Sequence, residues 1–469
     1  MKSIRLRQSG RMLAGVLLAA TAFAFLPAAR AQSVFTNAAP RPMPRRPSII
    51  LIVADGVGCG DLSCYGQTKF QTPNLDRLAA GGVRFTNCYA GDAVSSPSRA
   101  ALMLGRDSGH LKQRADMDVP LAADDITIAQ LLKQSGYHTG LIGEWDLGGD
   151  GTGGSPWNKG FDEFAGYLDP GDAENYYADF IWRYDPKTGL HGKELLLANA
   201  DGAKHVYIPD LLTTAALNFI KNNQPERFNR YRPFFLLLNY TTLRANTAEQ
   251  ARTGNGMQVP TDAPFSEESW PAPEKNQAAM LARLDADIGQ ILAQLKALNI
   301  ESNTAVFFTS DTGPHRDGGI DPKFFQSAGP FRGVRGELYE GGLRVPMIVR
   351  WPGKIPAGRV SDFTWAAWDF LPTATDIALI KPPAKVDGLS VLPALFGQTQ
   401  TNRHESFYWK LQGLDVAQAA RAGDWAAVQP KAGAPLELYQ LKTDPGETNN
   451  VAGKNPEVIK TFESLLKNP

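Results

Sequence analysis

The stretch Ser48-Ile49-Ile50-Leu51-Ile52-Val53-Ala54 (SIILIVA), closed by Asp55, decides the fold class. A nearly unbroken apolar run rich in β-branched residues is what a central parallel strand needs when helices cover both of its faces. Asp55 stands at the C-terminal end of that strand, where open α/β sheets bind their ligands, so its carboxylate is a candidate functional group. The same texture returns along the chain. Ile126–Gln134 patterns as an amphipathic helix stopped at Gly136, and a short strand follows, ending in Leu141, Ile142 and Gly143. Leu211–Ile220 predicts a second helix before the buried strand Phe234–Asn239 (FFLLLN). Leu281, Leu284, Ile288, Ile291, Leu292, Leu295 and Leu298 mark one face of a third helix, and Ala305–Thr309 (AVFFT) leads into Ser310 and Asp311. Strand and helix alternating with right-handed crossovers predict an α/β fold: a doubly wound, mostly parallel sheet flanked by helices.

At the N-terminus, basic Lys2, Arg5, Arg7 and Arg11, an apolar run from Met12 to Leu26, and small Ala29 and Ala31 form the three parts of a secretory signal. Cleavage is expected after Ala31. The apolar run is shorter than the roughly 20 residues a bilayer span needs, so export is favoured over anchoring, to the periplasm or beyond. Residues 32–46 read as a Pro- and Arg-containing tether, 47–400 as the main domain. In 401–469 the texture changes: Ser406–Lys410, Trp425–Val428 and Leu436–Leu441 pattern as short strands and Pro456–Lys467 as a closing helix, a small α+β subdomain.

Removing residues 1–31 takes away five of the 48 basic residues and none of the 48 acidic ones, leaving a mildly acidic mature chain. That balance argues against a nucleic-acid partner. Cys59, Cys64 and Cys88 are odd in number and confined to one short segment, which excludes a disulfide framework and predicts small buried residues.

The most informative segment is Ser95-Ser96-Pro97-Ser98-Arg99. Ser96 is expected to cap a helix whose first residue is Pro97, which leaves Ser95 beside the free NH groups of a helix N-terminus. Such a place holds anions, and Arg99 adds a guanidinium fork for oxyanion oxygens. This segment resembles the sulfatase signature C/S-x-P-x-R, and it is not alone. ADGVGCGDLSCYG from Ala54, TPNLDRLAAGGVRFTNCY from Thr72, GYHTGLIGEWDLG from Gly136, FFTSDTGPH from Phe307, LYEGGLRVPMIVRWPG from Leu338 and ELYQLKTDPGETNNVA from Glu437 resemble blocks of the same family in the same order.

The resemblance implies an alkaline phosphatase-like fold and sulfuric ester hydrolysis on sulfated carbohydrate or aryl substrates. It also assigns residues. Ser95 takes the position oxidised to the formylglycine nucleophile, and Arg99 the signature arginine. A divalent cation, calcium or magnesium, is implied between two adjacent Asp residues and a later Asp-Asn pair; Asp55 and Asp311 match one of each, whereas Gly56 and Thr312 replace the others. The family's Gly-Lys-Trp-His stands here as Gly143-Glu144-Trp145-Asp146, its Pro-His as Leu243-Arg244, and the lysine before Tyr-Glu-Gly-Gly as Arg335. In one branch of the family two histidines stand where Asp172 and Glu174 stand here.

Two functional readings follow: a sulfate-ester hydrolase with reduced or lost turnover, or a non-catalytic protein that keeps the cleft for a glycan or protein partner. A third arrangement gathers Asp55, Glu144, Asp146, Asp172, Glu174 and Asp311 as a carboxylate-rich metal site, against which stands their pairing with Arg99, Arg244 and Arg335 as internal salt bridges. His315, in the Gly-Pro-His turn, is a candidate to line the pocket, while Asp369, Asp387 and Asp444 read as capping residues.

Overall fold

The computed structural model describes residues 45–112, 119–227, 231–411 and 416–467. The expected signal segment and nearly all of the tether lie outside the described residues.

The stretch quoted first forms β1 (Ser48–Ala54), buried along its whole length. Its side chains alternate between two cores: Ile49, Leu51 and Val53 face one layer, and Ile50, Ile52 and Ala54 the other. Around it a large mixed sheet assembles from β2 (Val83–Tyr89), β3 (His138–Glu144), β4 (Glu163–Tyr167), β5 (Phe180–Asp185), β6 (Leu190–Leu195), β7 (Phe234–Asn239), β8 (Thr304–Ser310), β9 (Arg344–Arg350) and β10 (Arg359–Ser361). The spatial order is β10-β2-β9-β8-β1-β7-β3-β4-β5-β6, with β11 (Trp365–Ala366) also on β2. β1 is parallel to both β7 and β8, so three strands deliver their C-terminal ends to one place. The sheet is doubly wound as expected, with β9 and β5 running against the other strands towards its flanks.

The helix expected from the leucine spacing runs Ala272–Ala297 and buries Leu281, Leu284, Ile288, Ile291 and Leu295; Leu292 and Leu298 are only partly covered. The helix expected from Ile126 begins at Ile128, because the Thr127 hydroxyl accepts from the Gln130 amide and caps it; Ile126 is exposed. The C-terminal subdomain is a four-stranded antiparallel sheet, β12 (Phe407–Leu411), β13 (Ala417–Ala422), β14 (Trp425–Gln429) and β15 (Glu437–Gln440), over which the helix Pro456–Lys467 buries Phe462. No strand is read from the sequence at β2, β4, β5, β6, β9, β10, β11 or β13. The β5–β6 hairpin is largely exposed on its outer strand, so apolar alternation is absent, and β13 (AQAARA) is built from alanine, a poor strand former. Cys59 and Cys88 are buried and free as expected, but Cys64 is only half-buried. Among the described residues no helix is long and apolar enough to cross a membrane.

Candidate active site

The candidate residues converge at the C-terminal ends of β1, β3, β7 and β8. Asp55 follows β1 directly, its amide donating to the Thr242 carbonyl at 2.7 Å in the turn after β7. Asp311 follows β8, its amide donating to the Ala54 carbonyl at 2.9 Å. Glu144 ends β3, Asp146 lies two residues on with a left-handed backbone (φ 58°), and Arg244 sits in the turn beyond β7.

The signature segment enters through the helix Ser95–Leu104. Here the expected cap is corrected. The helix begins at Ser95, Val94 is its N-cap with no side-chain cap bond, and the Ser96 hydroxyl instead donates to the Asp146 carbonyl at 3.1 Å. Ser98, which carried no role in the sequence reading, fixes the helix: its hydroxyl donates to the Asp311 carbonyl at 2.5 Å and accepts from the Gly91 amide at 2.9 Å. A serine between two signature positions gives no sequence cue to so local a job.

One turn into the helix, the Arg99 guanidinium lies between the carboxylates. Its Nη2 is 3.0 Å from Asp55 Oδ2 and 3.0 Å from Asp311 Oδ2, and its Nη1 is 2.9 Å from Glu144 Oε1 and 3.9 Å from Asp146 Oδ2. Arg244 Nη2 bridges Asp55 and Glu144 at 2.7 Å each, and Arg335 Nη1 approaches Asp55 Oδ1 at 3.3 Å. Asp55 and Glu144 are fully buried, Arg99 is 3 % exposed, and of these groups only Arg335 reaches solvent appreciably.

Protonation follows from this packing. Burial alone would raise the Asp55 pKa, but Arg244, Arg335 and Arg99 together hold its carboxyl well below the usual range. Asp146 goes the other way: burial and the neighbouring Glu144 carboxylate push it up to about 7, because its nearest guanidinium is distant. Burial and the adjacent Asp55 likewise raise Asp311. Burial, then Arg335, lower His315, whose Nε2 lies 2.9 Å from the Leu243 carbonyl and whose Nδ1 accepts from the Asp317 amide. Four carboxylates thus face three guanidiniums, and Asp146 holding a proton would balance the cluster.

A hard divalent cation wants six or more oxygen ligands, and the residues present do not fit one. Asp55 Oδ2 and Asp311 Oδ2 already share one guanidinium nitrogen. The remaining Asp311 oxygen, Oδ1, accepts the Gly56 amide at 3.1 Å. Gly56 has a left-handed backbone (φ 67°), and a Cβ there would sit 2.7 Å from His315 Cδ2. The imidazole therefore occupies the space a second aspartate would use. The Thr312 hydroxyl is shared between the Gly313 carbonyl at 3.1 Å and Asp311 Oδ1 at 3.4 Å.

Two expected members stay out of the cluster. Asp172 is half-buried in the short helix Pro170–Ala173, and Glu174 accepts from the Thr247 amide at 3.1 Å. Both lie on a loop whose backbone, rather than its carboxylates, reaches Arg244: the Pro170 carbonyl is 3.5 Å from Nη1. The Ser95 hydroxyl is buried at the head of its helix without a hydrogen-bond partner. Asp369 and Asp444 cap as expected, accepting backbone amides of Ala366 and Leu389, and of Thr448 and Asn449. Asp387 accepts the Asp107 amide.

A doubly wound sheet whose strand ends gather this signature helix and these carboxylates defines an alkaline phosphatase-like α/β protein. Residues 47–380 match the Sulfatase family model, and residues 335–468 match the N-sulphoglucosamine sulphohydrolase C-terminal model. The N-acetylgalactosamine-6-O-sulfatase of Bacteroides thetaiotaomicron is 30% identical over 509 residues, covering 90% of this chain and 93% of its own. Human arylsulfatase A is 31% identical over 470 residues, covering 90% of this chain and 87% of its own. The crystal structure of Ps i-CgsB in complex with k-i-k-neocarrahexaose superposes with a TM-score of 0.74 at 28% identity, covering 90% of this chain and 92% of that one. The chain belongs to the sulfatase family.

Proposed function

We propose that this chain is an exported sulfatase-family protein that has given up sulfate-ester hydrolysis and a divalent cation, and keeps the fold to recognise sulfated carbohydrate. The carrying observation is the Arg99 guanidinium, 3.0 Å from both Asp55 and Asp311. A cation placed between those carboxylates would have to displace it, and an incoming sulfate would meet Glu144 and Asp146 where the family presents lysine and histidine.

Magnitudes favour this reading. A carboxylate about 4 Å from a sulfate oxygen costs roughly 4 kcal/mol at an effective dielectric near 20, and exchanging a cation for it roughly doubles the change. Arg99 and Arg244 cannot offset that, because each already neutralises two or more carboxylates. Loss of a general acid alone typically costs about 100- to 10,000-fold in rate. An unoxidised Ser95 alcohol has no base beside it, since its hydroxyl has no partner. The carbohydrate preference rests on relatives: one is an N-acetylgalactosamine-6-O-sulfatase and another was solved with neocarrahexaose.

The test is mass spectrometry of the Ser95 peptide from protein made in its own host, joined to a sulfate-release assay on N-acetylgalactosamine 6-sulfate and an aryl sulfate. Unmodified serine and no release are expected. Formylglycine at position 95 with release that disappears in Ser95→Ala would refute the proposal.

A further inference from the structure

A second basic region lies far from the first. The edge strand β10, the loop before β12 and the subdomain strand β13 enclose a cavity of about 530 Å³ lined by Arg359, Arg403 and Arg421. In the sheet, β2, β9 and β8 stand between β10 and β1. At about 4.8 Å per strand this places β10 roughly 19 Å from the strand that carries Asp55.

What distinguishes these arginines is their partners. Arg359 Nη1 donates to the Ala394 and Leu395 carbonyls at 3.1 Å each. Arg403 Nε donates to the Gln400 carbonyl at 3.0 Å, and its guanidinium lies 5.6 Å from the Phe363 ring centroid. Arg421, only 6 % exposed, donates to the Gly423 carbonyl at 3.2 Å and to the Tyr89 hydroxyl. Carbonyls, a ring face and a hydroxyl orient a guanidinium without neutralising it. Among the described residues none of the three forms an ion pair with a carboxylate. Asp362 and Glu405 also line the cavity, both exposed to solvent. His404 completes the wall; burial lowers its pKa, but its 2.7 Å bond to Asp369 more than compensates, so its affinity for a proton is raised.

Buried charge is ordinarily paired, and an arginine with free donors offers a planar fork matched to oxyanions. We propose that this cavity is a binding site for a sulfate or phosphate ester carried on a sugar-sized polyol. Its volume falls within the range of small-ligand pockets. The esterified oxyanion supplies the counter-charge that the three arginines lack, and Ser361, Thr364, Gln398 and Gln400 offer neutral hydrogen-bonding groups for hydroxyls. The site stands whether or not the ancestral centre turns over.

Calorimetric titration of the full mature protein at low ionic strength tests it, with N-acetylgalactosamine 6-sulfate, N-acetylglucosamine 6-phosphate, the unesterified sugars, and inorganic sulfate and phosphate as probes. One esterified sugar is expected to bind at one per chain, and the stronger of the two esters identifies the oxyanion. Arg403→Ala and Arg359→Gln are each expected to weaken binding at least tenfold, Glu405→Gln to strengthen it severalfold, and Arg335→Ala to leave it unchanged. Arg403 is exposed, so its loss is not expected to disturb folding. No binding by any probe, equal binding of unesterified sugar, or an affinity that follows Arg335 rather than Arg403 would overturn the proposal. Sulfate release measured on the same samples reports separately on the loss of hydrolysis.

Discussion

The two arginine-rich regions of this molecule use the same side chain to opposite ends. At the ends of β1, β3, β7 and β8, Arg99 and Arg244 are buried and each touches at least two carboxylates, so the charge is spent inside the protein. Beside β10, Arg359, Arg403 and Arg421 are held by carbonyls, a ring and a hydroxyl, and their charge is left facing a cavity. Counting arginines would rank the regions alike. Counting their counter-ions separates a sealed structural cluster from a surface able to take an anion.

The largest effect is expected where that contrast is deepest. Arg99→Ala strips the shared cation from Asp55, Asp311 and Glu144, and breaking a buried ion pair in this way costs about 3–5 kcal/mol. Denaturant unfolding should show a loss of this size, and added calcium should recover part of it in the variant alone. A fully stable Arg99→Ala protein would show that the cluster does not depend on its guanidinium.

Restoring an ancestral ligand should harm rather than help. Gly56→Asp would drive its Cβ to 2.7 Å from the His315 ring on a backbone of positive φ, with an expected loss of about 1–3 kcal/mol. The double variant with His315→Ala should lose less than the sum of the two single changes, because removing the ring frees the space. Additive losses would mean that the two positions do not compete.

Asp146 provides a pH-dependent test. Its folded pKa of about 7 exceeds the ordinary value of 3.8, so the native state binds the extra proton and stability falls as pH rises between those values. The slope for one such group is at most about 1.4 kcal/mol per pH unit. Asp146→Asn keeps a side chain that tolerates the left-handed backbone and removes the titration. Relative to the parent, the variant should therefore gain stability between pH 5 and 8, on the order of 2 kcal/mol. Asp55 has the reverse sign: held below its ordinary value, it contributes stability that is lost as pH falls below about 4. The smallest effect is expected beside β10, where Arg403→Ala removes an exposed, carboxylate-free side chain and should change stability by less than about 0.5 kcal/mol.

Much of this was legible in the sequence, and for a physical reason. Strands buried on both faces leave unbroken apolar runs, so β1 and β7 could be read to the residue, and the ordered blocks brought Asp55, Ser95, Arg99, Glu144, Asp146, Arg244, Asp311 and Arg335 to one place. What a linear motif cannot convey is pairing. It shows that Arg99 lies near Asp55 and Asp311, but not that the guanidinium stands between them, nor that His315 fills the space above Gly56. Asp172 and Glu174 carry the same charge but make no contact with the three guanidiniums of the cluster. The cavity beside β10 had no sequence signal, because Arg359, Arg403 and Arg421 come from separate elements that only the fold brings together.

The central claim is that a guanidinium has taken the place of a metal ion, and the metal content of the purified protein tests it most directly. After equilibration with millimolar calcium and removal of free ion by gel filtration, the account predicts no stoichiometric calcium and a melting temperature indifferent to chelator. One tightly held ion per chain, lost to chelator together with stability, would contradict it.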